Sequence, residues 1–342
     1  MFHSRSSRGR RALGGGVAAL LLLTAACGDD EADSDTATDE DAAAEGELRS
    51  FEDDNGTIEI PSDPESIVAC GYAVLPLVQA GADLSAVCEW SRELDNMDDE
   101  TLAAYEAVPK VGRDADASSI NYEGIAAAEP DLIIMGVPAP ALPDLDMETL
   151  EALAPVVVLA PSAPGDWREL GERYADAAGV GEAYGEFKDE YETLAADIEA
   201  RYADSLGSLS FGGICTPCGV AEGTYSREYA SSYTSNHFDL LGLSFPGESS
   251  DPQIAHAEYL SVENIGDDLG AVDVIVYGVE ADGSIEPTVA DLMATPLWQN
   301  LPAVQAGNVV EVRHHSAATY QTAILALESI DEGLAALPLT AG

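Results

Sequence analysis

Seven short apolar runs, separated by segments of helical periodicity, constrain the fold of this chain more than any other feature. They are "SIVAC" 66–70, "LSAVCEW" 84–90, "DLIIMG" 131–136 and "VVVLAP" 156–161, then "SLSFGGIC" 208–215, "VDVIVYG" 272–278 and "NVVEVR" 308–313. Amphipathic segments such as "LPLVQAG", "NYEGIAAAE" and "METLEAL" lie between the first four, and an amphipathic helix over about 317–336 closes the chain. Continuous apolar strands alternating with helices predict parallel α/β units. The grammar stops between the two blocks, at "GEAYGEFKDEYETLAADIEARYADSL", 181–206. There Tyr184, Phe187, Tyr191, Leu194, Ile198 and Tyr202 recur at steps of three and four, one face of a long helix. Twenty helical residues span roughly 30 Å, a stiff rod between two lobes. The expected fold class is α/β, with two Rossmann-like lobes over 51–180 and 207–342, joined by the helix 181–206, and a ligand cleft between them.

What precedes the lobes sets the compartment. Arg5, Arg8, Arg10 and Arg11 lead an apolar run from Leu13 to Ala26 that stops at Cys27. The run is too short for a mature transmembrane helix and reads as a secretory signal over 1–26. Its end, "LTAAC", resembles a bacterial lipobox, with Leu23 one place further from the cysteine than usual. That resemblance implies lipidation of Cys27 and a protein anchored on the extracytoplasmic face of the cell membrane. Residues 27–50 are Asp, Glu, Ala, Ser and Thr with almost nothing apolar, a composition that cannot order itself, and read as a tether.

From residue 51 onward 53 acidic residues stand against 9 basic ones, an excess of 44 negative charges. Such a body excludes nucleic acid as a natural partner, and its carboxylates read chiefly as a solvated surface. Four cysteines follow Cys27. Cys70 and Cys88 end two apolar runs, and on neighbouring parallel strands their sulfurs lie at similar heights and can bridge. Cys215 and Cys218, in "CTPC", form a structural disulfide, a redox pair or half a zinc site. No second C-x-x-C or nearby His pair completes a zinc site, and no resident metal is expected.

An internal repeat singles out two acids. In "NYEGI" a cap residue, Asn121, is followed by Glu123, and in "SVENI" Ser261 is followed by Glu263. Each unit then runs through an Asp into an apolar run ending in Gly. An acid in a helix's first turn gains about 0.3 to 1 kcal/mol from the helix dipole and needs no partner. Two at one capped position in corresponding units are better explained by a shared contact.

With "GTIEIPSDPESIVAC", "GADLSAVCEW", "VPKVGRDADASSINYEGIAAAEPDLIIMG", "APVVVLAP" and "PLWQNLPAVQAGNVVEV" in this order, the chain over 51–337 resembles bacterial ABC-importer substrate-binding lipoproteins of the iron-siderophore and cobalamin class. These are periplasmic binding proteins of class III, with a helical backbone. The resemblance implies a monomeric, non-enzymatic component that captures a ferric siderophore and delivers it to an ABC permease, with Glu123 and Glu263 docking against permease arginines. A heme- or cobalamin-binding importer component is the nearer alternative. A thiol-disulfide oxidoreductase using Cys215 and Cys218, or a surface adhesion module, is the more distant one.

The ligand belongs where loops at the carboxyl ends of the strands converge. Those loops supply Arg92, Arg113, Arg227 and His314, with Trp90, Tyr225, Tyr277 and Tyr320 as walls that also hydrogen-bond. Arginine presents a planar fork to carboxylate, catecholate or hydroxamate oxygens. Arg113, just before the "INYEGI" helix, is where siderophore binders of the family often place such a contact, although it can equally pair with Asp114 or Asp116. Trp298 is assigned to the core. No nucleophile elbow or phosphate loop is present, and no cofactor is expected.

Overall fold

A computed structural model describes residues 47–340 apart from 114–115, 217, 219 and 252–253. Cys27, the apolar run before it and the acidic stretch through residue 46 lie outside the described residues. Among the described residues no helix is long and apolar enough to cross a membrane.

The first lobe opens with an antiparallel hairpin, β1 (Leu48–Asp53) and β2 (Gly56–Pro61). Strand β1 thus begins inside the stretch 27–50 that the composition assigns to a tether. Leu48, Arg49 and Ser50 pair with Pro61, Ile60 and Glu59, because Phe51 and Ile60 carry the hairpin onto the core and draw the preceding residues into register. The chain continues through β3 (Ile67–Gly71), α1 (Val74–Gln79), β4 (Leu84–Val87), α2 (Asp99–Ala107), α3 (Tyr122–Ala127), β5 (Leu132–Gly136), α4 (Met147–Glu151), β6 (Val156–Val158) and α5 (Trp167–Ala177). The four strands β4-β3-β5-β6 form a parallel sheet in that order.

After α6 (Gly181–Leu206) the second lobe contains β7 (Phe211–Ile214), β8 (Thr224–Glu228), β9 (Ala257–Ser261), α7 (Ile265–Leu269), β10 (Val274–Gly278), α8 (Pro287–Met293), α9 (Pro296–Gln299), α10 (Pro302–Ala306), β11 (Val309–Val312) and α11 (Tyr320–Ala336). Its sheet runs β11-β10-β7-β8-β9, with β11, β10 and β7 parallel and β8 reversed, pairing antiparallel with both β7 and β9.

Strands β3, β5 and β10 are buried along their whole length, which is why they read as unbroken apolar runs. The Asp before each repeated run has one job in both lobes. Asp131 accepts from the backbone N–H groups of Glu65 and Ser66, and Asp273 from the N–H and hydroxyl of Ser210. Each carboxylate pins the neighbouring strand's entry to its own.

Helix α6 is 26 residues long, about 39 Å at 1.5 Å per residue. It buries Tyr184, Tyr191, Ile198, Tyr202 and Leu206 against both lobes. Tyr191 meets Trp167 of α5 at 5.8 Å and Tyr320 of α11 at 5.4 Å, and Tyr202 donates to Asp331 at 2.9 Å. One core thus runs through both lobes along α6. Separate cores lie beneath α3 and α4 in the first lobe and beneath α7 to α10 in the second, where Trp298 is buried. Cys70 and Cys88 form a disulfide joining the ends of β3 and β4, and Cys215 and Cys218 form another just after β7.

Candidate functional site

The segment after β4 is fixed before it reaches the gap between the lobes. Cys88 is bridged to Cys70 and its N–H donates to Ala69, the Glu89 N–H donates to Gly112, and the Trp90 N–H donates to the Tyr105 hydroxyl at 2.7 Å. From this anchored stretch Trp90, Arg92 and Glu93 project in a 3-10 turn, Ser91–Asn96. On the adjoining strand Gly71 adopts φ +67°, and a Cβ there would run into the Gly136 carbonyl, so only glycine turns the chain at this point. The turn delivers Tyr72.

Arg92 lies in a cage drawn from both lobes. Its guanidinium carbon sits 5.2 Å from the Tyr72 ring and 5.3 Å from the Trp90 ring, both in the first lobe, and 5.3 Å from the Tyr233 ring in the second. It donates to the Tyr72 hydroxyl at 2.8 Å. Burial works against its charge, but the Tyr72 and Tyr233 hydroxyls and the Glu93 carboxylate hold its pKa above the ordinary arginine value. Burial raises the Tyr72 phenol to about 12, with Arg92 opposing it. Cation–π contact of this kind strengthens when water is removed. Pro164, Asn236, Ser316, Ala317 and Ala318 complete the lining, and the lobes meet here without room for a water molecule. The roomier grooves, of about 280 to 330 Å³, are lined by other residues on the second lobe.

Tyr233 is presented by the loop after β8, and Glu228 holds that loop. Its buried carboxylate accepts from the N–H groups of Thr234 at 3.2 Å and Ser235 at 3.0 Å. Asn236 is tied to the first lobe, accepting from the Trp167 indole at 2.8 Å and, through its carbonyl, from Arg168 at 2.9 Å. Burial lifts the Glu228 carboxyl from its ordinary value of 4.5 to about 7. The folded protein therefore holds this proton more tightly than the unfolded chain between those pH values, and the group's contribution to stability falls as pH rises through them. Glu228→Gln, which mimics the neutral form, is expected to flatten that fall when urea unfolding is compared at pH about 5 and about 8.

Of the residues singled out in the sequence, Arg92 lines the gap, and the buried Trp90 packs against its guanidinium. His314, at φ +57°, bonds across the lobes to the Asn96 side chain at 2.6 Å, and burial lowers its pKa. Arg113 is exposed in a turn of the first lobe, where its N–H donates to Ser119 at 2.8 Å. It forms no ion pair with Asp116, and Asp114 lies outside the described residues.

The other four lie elsewhere. Tyr225 and Arg227, two apart on β8, face α7 together: the Tyr225 hydroxyl donates to the Asp268 carboxylate and Arg227 to the Asp268 carbonyl. Tyr277 is in the outer core of the second lobe with its hydroxyl directed at Glu311, 3.4 Å away. Tyr320 is in the aromatic cluster around α6 and donates to Glu172 at 2.7 Å. Each tyrosine ring packs in a core while its hydroxyl finds an acceptor, the Arg227 guanidinium bonds to carbonyls, and none of the four lines the gap around Arg92.

Glu123 and Glu263 are exposed in matching settings. The Asn121 side chain accepts from the Gly124 N–H, and the Ser261 hydroxyl accepts from the Glu263 N–H. Ile125 and Ile265, two residues on, are fully buried beneath them. Neither glutamate takes part in an ion pair among the described residues.

The periplasmic binding protein family model matches residues 67–315. A siderophore periplasmic binding protein from the fuscachelin gene cluster of Thermobifida fusca is 30% identical, and the match covers 81% of this chain and 99% of that one at a TM-score of 0.64. The FhuD protein from S. pseudintermedius is 21% identical over 85% of this chain and 99% of its own, TM-score 0.64. A periplasmic solute binding protein from Mycobacterium smegmatis is 18% identical over 84% of this chain and 98% of its own, TM-score 0.66. These last two speak for the fold. None of the curated proteins matches. With the family model covering most of both lobes, and with two α/β lobes joined by one long helix, the chain belongs to the periplasmic binding protein family, in its class III form.

Proposed function

We propose that this protein captures a ferric siderophore between its lobes and hands it to the permease of an ABC importer. The observation that carries the reading is Arg92, a half-buried cation walled by Tyr72, Trp90 and Tyr233 where the two lobes meet. A guanidinium fork with aromatic walls matches the oxygen-rich, partly apolar surface of an iron chelate. The Thermobifida fusca protein's description as a siderophore binder points the same way. Entry of a chelate requires the lobes to part at Tyr233, while α6 and its aromatic cluster keep them aligned. The protein acts as a monomer without a resident cofactor, held by a lipid on Cys27 at the outer face of the cell membrane, with the acidic stretch as its tether.

Glu123 and Glu263 are the docking points, one on each lobe. An exposed acid with no internal partner gives up nothing when a basic residue of the permease meets it. The double variant Glu123→Arg, Glu263→Arg is expected to lower cellular uptake of a radiolabelled ferric chelate by roughly tenfold or more while leaving the purified protein's affinity for that chelate unchanged. Unimpaired uptake by the double variant removes the docking assignment.

A further inference from the structure

Glu93 stands apart among the buried groups, because capture of a chelate by Arg92 does not by itself call for an acid next to it. It is 1% exposed, and donors occupy both of its oxygens. Oε1 accepts from the Trp90 indole N–H at 3.0 Å. Oε2 accepts from the Ala318 backbone N–H at 3.1 Å and the Thr322 hydroxyl at 2.9 Å, both in the second lobe. An N–H donor on each oxygen suits the ionised form, since a protonated oxygen would face a donor. Burial is the largest influence and raises the Glu93 carboxyl above the ordinary glutamate range, while the Arg92 charge and these three donors pull toward the ionised form. A carboxylate this deep is costly unless donors and an opposite charge accompany it. Arg92 is the one cation among the residues lining the gap.

We infer that Glu93 sets the ligand charge the cleft accepts: its buried carboxylate, bonded to both lobes, offsets the half-buried Arg92 guanidinium next to it. The inference rests on the reading of the gap as the ligand site. The body's excess of 44 negative charges also acts on a ligand, but that field is screened by salt, whereas a buried pair is screened much less. With Glu93 in place the cleft offers an arginine fork at a net charge near zero. That favours a neutral chelate, such as a ferric tris-hydroxamate, over a trianionic ferric tris-catecholate.

The test measures dissociation constants for these two complexes at one ionic strength near neutral pH, with wild type, Glu93→Gln and Thr322→Val. Glu93→Gln removes the charge and nearly keeps the shape. Thr322→Val removes a hydrogen bond to the same carboxylate and keeps the charge. Wild type is expected to prefer the neutral complex. Glu93→Gln is expected to shift the ratio of the two constants toward the trianionic complex by about tenfold or more, and Thr322→Val to leave the ratio unchanged. An unchanged ratio in Glu93→Gln means that Glu93 only holds the lobes together, which overturns the inference and leaves the proposed function standing. A wild-type preference for the trianionic complex overturns it without any variant, so the test survives even if Glu93→Gln does not fold. If neither complex binds wild type, the proposed function fails and the inference with it.

Discussion

Replacing Arg92 with alanine is expected to weaken chelate binding by about 100-fold or more, the largest single effect on function in the molecule. Removing one member of a buried, hydrogen-bonded charged group costs about 2 to 5 kcal/mol, and each 1.4 kcal/mol is about tenfold in affinity. Arg92 is half-buried, three rings from two lobes surround it, the Tyr72 hydroxyl accepts from it, and among the described residues no other cation lines the gap. Arg92→Lys keeps the charge and loses the planar fork, so it is expected to recover only part of the affinity. The alanine variant also leaves Glu93 without its counter-charge, so its melting temperature is expected to fall too. Calorimetric titration beside a thermal melt separates the two effects.

The second large effect is on stability and comes from the Cys70–Cys88 disulfide. The bridge closes a loop of sequence separation 18 and ties the ends of two neighbouring strands in a fully buried position. Loop-closure entropy assigns such a bridge about 3 kcal/mol. The double variant Cys70→Ala, Cys88→Ala is therefore expected to melt roughly 5 to 10 °C lower. It should also bind more weakly, because Trp90 and Arg92 extend from the chain that Cys88 anchors. Cys215 and Cys218 are only three residues apart, and their removal is expected to cost less, about 2 kcal/mol. A Cys218→Ala variant that loses stability but traps no mixed disulfide with a client protein speaks for a structural bridge rather than a redox pair.

The parallel strands and the long helix were legible because burial on both faces and helical packing each leave a period in the sequence. β3, β5 and β10 are buried at every position, and α6 shows its apolar face at steps of three and four. β8, "TYSRE", left no such trace. It is an antiparallel strand whose only large apolar ring is Tyr225, and its other residues include Arg227, which bonds to carbonyls, and Glu228, which holds a loop. The site was legible only in part. Arg92 and Trp90, at the gap, follow a strand end, but the same rule also selected Tyr225, Tyr277 and Tyr320, whose hydroxyls bond to Asp268, Glu311 and Glu172. Nothing local distinguishes a tyrosine facing a cleft from one bonded to a neighbouring acid. Tyr233 is 141 residues from Arg92 along the chain, and only the docking of the lobes makes them neighbours. Glu93 was hidden by composition, as one carboxylate among 53 from residue 51 onward, and only its burial and its three donors mark it.

The central claim is that the gap around Arg92 binds a ferric chelate, and intrinsic fluorescence titration tests it most directly. Trp90 is packed against Arg92, and Trp167 bonds to the Asn236 side chain that helps line the gap, so a ferric complex seated there lies close to both indoles. Saturable quenching is expected with at least one complex from a panel of ferric hydroxamate, catecholate and citrate chelates and hemin, and it should be lost or shifted to about 100-fold higher concentration in Arg92→Ala. No quenching across the panel, or quenching of equal affinity in wild type and Arg92→Ala, would contradict the account.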